Sequence, residues 1–162
     1  MNDKRTENEA YTAWKAEQAR AWLRYIRNER RAVVVLQDEI ERLSSIALKA
    51  IDTTAPYVKA SPSVDKVAKA AYDLIELNDE LAAQLAALRD IRRDAHDRIM
   101  RLDDARYSTV LVLYYVDGNT WQQVADKAHY EVETVMRIRT EALPYVYDVM
   151  PNEWRQMIPR AD

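Results

Sequence analysis

Regularly spaced arginines are the side chains of this chain whose types and positions most directly suggest a chemical role. Four of them follow one another at intervals of four, three and four residues: Arg20, Arg24, Arg27 and Arg31. On a helix this spacing forms one stripe, offset by about 200° from the apolar positions Trp22 and Ile26, so the stripe should face outward. An outward row of guanidinium groups can bind the phosphates of a nucleic acid. The alternatives are an ordinary solvated face and pairing with acidic residues of a partner subunit.

Catalytic and metal-binding patterns are not found in the sequence. Cysteine is absent, the two histidines (His96 and His129) lie in different segments, and one glycine cannot build a glycine-rich phosphate loop. We therefore expect no enzyme, no metal site and no cofactor. The lack of cysteine also fits a reducing cytoplasm. Neither a signal peptide nor an apolar run of about 18 residues occurs, so we expect no export and no membrane span.

Composition favours an all-α fold. The 162 residues are 48% hydrophobic, with one glycine, five prolines and no phenylalanine. Because few residues interrupt helices, long continuous helices are expected.

Two long helices are predicted first, after a flexible terminus at 1–9. The first, about 11–52, carries a heptad-like apolar seam: Trp22, Ile26, Val33, Leu36, Ile40, Leu43, Ala47 and Ala50. Such a helix spans roughly 60 Å and needs a partner along its length. Ser61 as cap and Pro62 at the first helical position begin the second, about 62–102. The connection of about ten residues predicts a long antiparallel, coiled-coil-like hairpin over 10–102, which would form a homo-oligomer or recruit polymerase.

A helix-turn-helix is predicted over 103–144. The only glycine, Gly118, follows an apolar helical run and indicates a helix end. Thr120 and Gln123 match a capping box, which predicts that a new short helix begins there. That helix breaks near His129, and a third helical period follows. Two helices joined by a tight turn are typical of proteins that place the second helix in the major groove of DNA.

The segment RYSTVLVLYYVDGNTWQQVADKAHYEVETVMRIRTEAL, residues 106–143, resembles region 4 of the sigma-70 factors. It is more similar to small phage regulators typified by the ArpU and RinA late-transcription activators. A related family of phage proteins also has a long helical N-terminal part, a Ser-Pro-Ser loop and a similar C-terminal module, so the resemblance extends over most of residues 25–143. It implies a phage-encoded, DNA-binding transcription regulator in the cytoplasm of a bacterial host, an activator of late or packaging genes. Double-stranded DNA and host RNA polymerase would be its partners.

The resemblance also implies which residues face DNA. Carried over from the sigma pattern, the base-contacting positions are Val132, Glu133, Thr134, Met136, Arg137 and Thr140, and Arg139 joins the arginine stripe as a phosphate contact. Arg137 is the strongest candidate, because a guanidinium can bond guanine O6 and N7 together. Val135, Ile138, Ala142 and Leu143 would fill the core.

Charge argues against a self-sufficient DNA-binding module. Residues 103–162 contain ten acidic and six basic residues, a net charge of −4, whereas the rest of the chain carries +1. We therefore expect the module to depend on the arginine stripe or on a second subunit for affinity. The other interpretation is a coiled-coil adaptor whose sigma-like module binds a host or phage protein instead of DNA.

Pro144 predicts that the third helix ends or kinks near Leu143. The apolar segment 145–162 beyond it is expected to cover the module or the hairpin; contact with RNA polymerase or with a second subunit is the alternative.

Overall fold

The computed structural model describes residues 3–51 and 64–156, and no strand occurs in these ranges. The prediction of an all-α fold is confirmed. In chain order the elements are α1 (Asp3–Ile51), α2 (Val64–Ile99), α3 (Ala105–Leu111), a π-helical turn (Val112–Val116), α4 (Trp121–Ala128), α5 (Val132–Val149) and a 3-10 turn (Asn152–Trp154). Among the described helices, none has a stretch both long and apolar enough to cross a bilayer.

The chain divides into two compact units. One, the terminal unit, comprises Met1–Asn28 and Asp90–Asp162; the other, the hairpin unit, comprises Glu29–Arg89. Both long helices contribute residues to each unit. The helix-turn-helix is therefore not a separate domain over 103–144, because parts of α1 and α2 fold together with it.

The core of the terminal unit explains why it contains parts of both long helices. Fourteen buried side chains form one cluster drawn from α1, from the end of α2 and from the segments that follow: Ala19, Trp22, Leu23, Ile26, Ala95, Ile99, Leu102, Leu111, Tyr115, Val116, Ala142, Leu143, Val146 and Met150. Since full burial of a large apolar side chain contributes about 1.5–3 kcal/mol, this shared core binds residues 19–26 of α1 to the C-terminal helices.

A second buried cluster holds α3, α4 and α5 together. Val110 of α3, Val124 and Ala125 of α4, and Val135 and Ile138 of α5 are all at most 2% exposed. The expected core positions of the third helix are confirmed, because Ala142 and Leu143 are likewise buried.

The hairpin unit has little buried core in its described part. Val33 and Leu88 are the side chains there that are buried. The remaining large seam residues are half-buried: Leu36, Ile40, Leu43, Leu74, Leu77 and Leu81. The antiparallel pairing of these two helix segments stays a prediction.

Two boundaries differ from the sequence prediction. Residues 3–9, expected to be flexible, belong to α1, where Arg5 and Glu9 form an i, i+4 ion pair at 3.1 Å. The third helix does not end near Leu143 but continues through Pro144 to Val149. Burial of Val146 beyond the proline offsets the lost backbone hydrogen bond. The predicted start of the second helix at Ser61 and Pro62 lies outside the described residues, as do 157–162.

Candidate nucleic-acid interface

The start of α4 has the local structure that the sequence predicts. The Thr120 side chain accepts a hydrogen bond from the Gln123 backbone N–H at 3.3 Å, and the Gln123 side chain accepts from the Thr120 N–H at 2.9 Å. Gly118 has φ 77°, a left-handed conformation that is available to glycine at little cost. Turn and cap together fix where the short helix begins.

The turn between α4 and α5 uses a residue that sequence reasoning missed. His129, the C-cap of α4, has φ 57° and ψ 44°, and the next N–H, that of Tyr130, donates to the Ala125 carbonyl at 3.0 Å. A left-handed residue at this position is usually glycine or asparagine. The break in apolar periodicity signalled the turn, but nothing in the sequence identified His129 as its left-handed residue.

A π-helical turn positions two consecutive tyrosines against these helices. The Asp117 N–H donates to the Val112 carbonyl, five residues earlier, at 2.9 Å. The wider turn lets Tyr115 enter the core while Tyr114 stacks on Trp121, with ring centroids 3.5 Å apart and planes within 9°. Such π-turns often occur where a helix must present side chains in an unusual register.

Two arginines extend this contact into a four-layer stack. The Arg27 guanidinium lies 3.8 Å from the centroid of the Tyr114 ring, and that of Arg139 lies 5.7 Å from the Trp121 ring. We call Arg27, Tyr114, Trp121 and Arg139 the arginine–aromatic stack. It connects α1, the π-helical turn, α4 and α5 within the terminal unit. The position of α5 therefore depends on the first long helix.

Arginines of both long helices also hold the turn before α4. Arg27 of α1 donates to the Tyr114 carbonyl and, at 3.2 Å, to the Asn119 carbonyl. Arg92 of α2 pairs with Asp117 at 3.2 Å. Charged donors on carbonyls at the end of a helix satisfy acceptors that the helix itself leaves open.

One face of α5 is exposed along its length. Its exposed side chains recur at helical spacing: Glu133, Met136, Arg137, Thr140, Glu141, Tyr145 and Asp148. The first four are among the six predicted base-contacting residues, and the structure places them on one face. The other two, Val132 and Thr134, are half-buried, and Val132 packs against the second core cluster.

The predicted phosphate contacts behave differently from one another. The expectation that the whole stripe faces outward is wrong for Arg27, which is half-buried and bonded to backbone carbonyls. Arg139 also has a partner within the fold, because its Nε donates to the Tyr115 hydroxyl at 2.9 Å. Arg20 is half-buried and Arg24 is exposed; both contact Glu17, at 2.5 Å and 3.8 Å. Arg31 is exposed and belongs to the hairpin unit.

Each basic residue of 103–143, a range that the structure describes completely, has a partner inside the module. Arg106 pairs with Asp104 at 2.6 Å, Lys127 bonds Asn119 at 2.7 Å, and Arg137 lies 4.0 Å from Glu141. The Arg106 guanidinium lowers the pKa of Asp104, and the same contact raises the pKa of Arg106. The Arg137 contact is long and the side chain is 69% exposed, so Arg137 remains the most available cation on α5.

The surface beside the first turn of α5 is acidic. A shallow hollow of about 680 Å³ lies between α4 and the first turn of α5, and its polar lining is Gln122, Asp126, His129, Tyr130, Glu131 and Glu133. Three carboxylates without a lysine or arginine among these residues repel phosphate. Among the described residues, no three or more His, Cys, Asp or Glu side chains are placed to hold a metal ion.

Comparisons of the chain with protein-family models, with curated proteins and with solved structures returned no match.

Proposed function

We propose that this chain is a phage-encoded transcription regulator that binds double-stranded DNA and reads a few base pairs with the exposed face of α5. The observation that carries the proposal is the alignment of Glu133, Met136, Arg137 and Thr140 on one solvent-facing side of the second helix of a helix-turn-helix. Arginine bonds guanine at two acceptors, methionine can contact a thymine methyl group, and glutamate accepts from the cytosine amino group. The sigma-like sequence pattern supports a role in activating late or packaging genes in a bacterial host.

Most of the affinity must come from cations outside the module, since those inside it, except the largely exposed Arg137, are bonded to acidic or polar groups of the module. The half-buried Arg20 and the exposed Arg24 are the cations of the terminal unit that best fit this role. Both contact Glu17 now, and exposed ion pairs contribute at most about 1 kcal/mol, so phosphate can replace the carboxylate. Arg27 is removed from the set of phosphate contacts.

Salt-dependent binding tests this proposal. The full chain is titrated into a fluorescent duplex at several salt concentrations, alongside the double variant Arg20→Gln, Arg24→Gln. Each lost phosphate contact lowers the slope of log K against log salt by about 0.9, so the double variant should lose about 1.8. Arg5→Gln with Arg42→Gln removes the same charge elsewhere on α1 and should leave the slope unchanged. Equal slopes in all three proteins would reject the phosphate role, and absence of binding at low salt would reject DNA binding.

A second candidate function is a protein-binding adaptor. The acidic hollow beside α5 and the internal pairing of the module's cations favour it. The carboxylates of the hollow would attract a basic protein surface and repel the phosphates of DNA. The same host RNA polymerase that an activator contacts would then be bound directly, without an operator. Co-purification of polymerase by the full chain after nuclease treatment, with no retained duplex at low salt, would favour the adaptor.

A further inference from the structure

Arg139 lies on the side of α5 that packs against the rest of the terminal unit. It follows Arg137 by two residues, which places the two side chains about 200° apart around the helix axis. Its neighbours at three, four and seven residues are all buried: Val135, Ala142, Leu143 and Val146. Arg139 itself is half-buried. This guanidinium is therefore not placed to contact the phosphates of a duplex that binds the exposed face of α5.

Two contacts hold the Arg139 guanidinium. Its Nε donates to the Tyr115 hydroxyl at 2.9 Å, and its Cζ lies 5.7 Å from the centroid of the Trp121 ring. Tyr115 belongs to the π-helical turn and Trp121 begins α4, so one side chain connects α5 to both preceding elements. Tyr115 is 2% exposed, and its ring meets that of Tyr114 edge to face with centroids 4.8 Å apart. The hydroxyl is therefore an acceptor of fixed position.

Apolar packing alone would hold α5 less precisely. The cluster between α3, α4 and α5 consists of small and medium-sized side chains: Val110, Val124, Ala125, Val135 and Ile138. The hydrophobic effect has no direction, whereas a hydrogen bond needs its two heavy atoms about 2.7–3.2 Å apart and well aligned. Rotation of α5 by about 10° would move a group about 6 Å from the helix axis by about 1 Å. That displacement exceeds the range of about 0.5 Å that a hydrogen bond tolerates.

We infer that Arg139 is a positioning residue, which fixes the rotation of α5 through the Tyr115 hydroxyl and the Trp121 ring so that Arg137 meets its base pair in the geometry that discriminates guanine. This role rests on the proposed reading of DNA by α5. It replaces the phosphate contact expected for Arg139 from the sequence. It also gives a buried tyrosine hydroxyl, on the opposite side of α5 from the exposed face, an effect on base preference.

Removal of the Tyr115 hydroxyl alone tests this role. The full chain is titrated into four fluorescent versions of a duplex enriched from a random-sequence library, which differ only at the base pair whose preference Arg137→Ala removes. A bidentate arginine–guanine contact discriminates about 5- to 150-fold. Tyr115→Phe keeps the ring in the core but removes the acceptor of Arg139. It should lower the ratio between the preferred and the other base pairs at least about threefold.

Tyr147→Phe is the matched control. It removes a hydroxyl from the last turn of α5, about two turns from Arg139, and should leave the ratio unchanged. Arg139→Met separates positioning from phosphate contact, because a lost phosphate contact lowers the salt slope by about 0.9 and a lost positioning contact does not. Combined with Tyr115→Phe, it should lower the ratio no further than Arg139→Met alone, since both changes remove the same hydrogen bond.

The expected result is a loss of base discrimination that Tyr115→Phe and Arg139→Met share, with an unchanged salt slope. Full discrimination in Tyr115→Phe, a slope lowered by about 0.9 in Arg139→Met, or additive losses in the double variant would overturn the positioning role. Failure of the proposed function is seen separately, as a library from which the wild-type chain enriches no sequence, and the positioning role falls with it.

Hydrogen exchange of the free wild-type chain decides the matter if Tyr115→Phe loses helix content by circular dichroism. The Nε–H of Arg139 should exchange with water at least about tenfold more slowly than that of the exposed Arg137, because it is bonded to a buried hydroxyl. Equal exchange rates at the two side chains would overturn the fixed hydrogen bond and the positioning role with it.

Discussion

Arg27 offers the sharpest test of how the helix-turn-helix is packed onto α1. Its guanidinium stacks on Tyr114 at 3.8 Å and donates to two backbone carbonyls of the turn before α4. Hydrogen bonds from a charged donor contribute about 1.5 kcal/mol each at the lower end, and a partly desolvated cation–π contact adds about 1 kcal/mol. Allowing for water that enters after truncation, Arg27→Ala should lower the free energy of unfolding by about 3 kcal/mol.

Arg24 provides the matched control on the same helix. Its side chain is 60% exposed and its ion pair with Glu17 spans 3.8 Å. Arg24→Ala should therefore cost less than about 0.5 kcal/mol. Arg27→Lys keeps the charge but loses the planar stack, and an intermediate loss is expected.

Urea unfolding of the full chain, followed by circular dichroism and tryptophan fluorescence, measures these differences. Coincident transitions by both probes justify a two-state analysis. If Arg27→Ala destabilises the chain no more than Arg24→Ala, the arginine–aromatic stack does not hold the module on α1 and the reasoning fails.

Three further predictions concern the N-cap residue Thr120, the stability of the fold at acid pH, and the base contact proposed for Arg137. Thr120→Ala should cost about 1 kcal/mol in urea unfolding, and Thr120→Ser should restore most of it; equal stability of all three proteins would refute the cap. The lowered pKa of Asp104 means that its pair with Arg106 stabilises the fold fully above the ordinary pKa of 3.8 and less as pH falls further. Asp104→Asn keeps a capping side chain, so it should flatten the acid limb of the stability profile, and an unchanged profile would contradict this. Arg137→Ala should weaken operator binding by about 1–3 kcal/mol and relax preference at one base pair, whereas uniform loss across sequences would make Arg137 a phosphate contact.

Local signals in the sequence predicted the helix-turn-helix well. Gly118 and the Thr120–Gln123 capping box are short-range features whose geometry depends on a few neighbouring residues, and the structure contains both. The buried positions of α5 agree with those that the sigma-like pattern implied. The left-handed His129 had no comparable signal, because residues other than glycine take that conformation in only about a few per cent of cases.

Longer-range packing could not be predicted in the same way. Arg27 fits an outward stripe by spacing, but the π-helical turn brings the Tyr114 ring and carbonyl to it from 87 residues away. Pro144 reads as a helix end from local chemistry, yet burial of Val146 and Met150 carries the helix through it. At Pro144 the tertiary contacts outweigh a local cost of about 3 kcal/mol or more.

Selection of bound duplexes from a random-sequence library at low salt, with the full chain as bait, tests DNA reading by α5 most directly. The account predicts an enriched motif containing a guanine whose enrichment disappears in Arg137→Ala, while Arg5→Gln recovers the wild-type motif. Recovery of no enriched sequence by the wild-type protein, or of the same motif by Arg137→Ala, would contradict it.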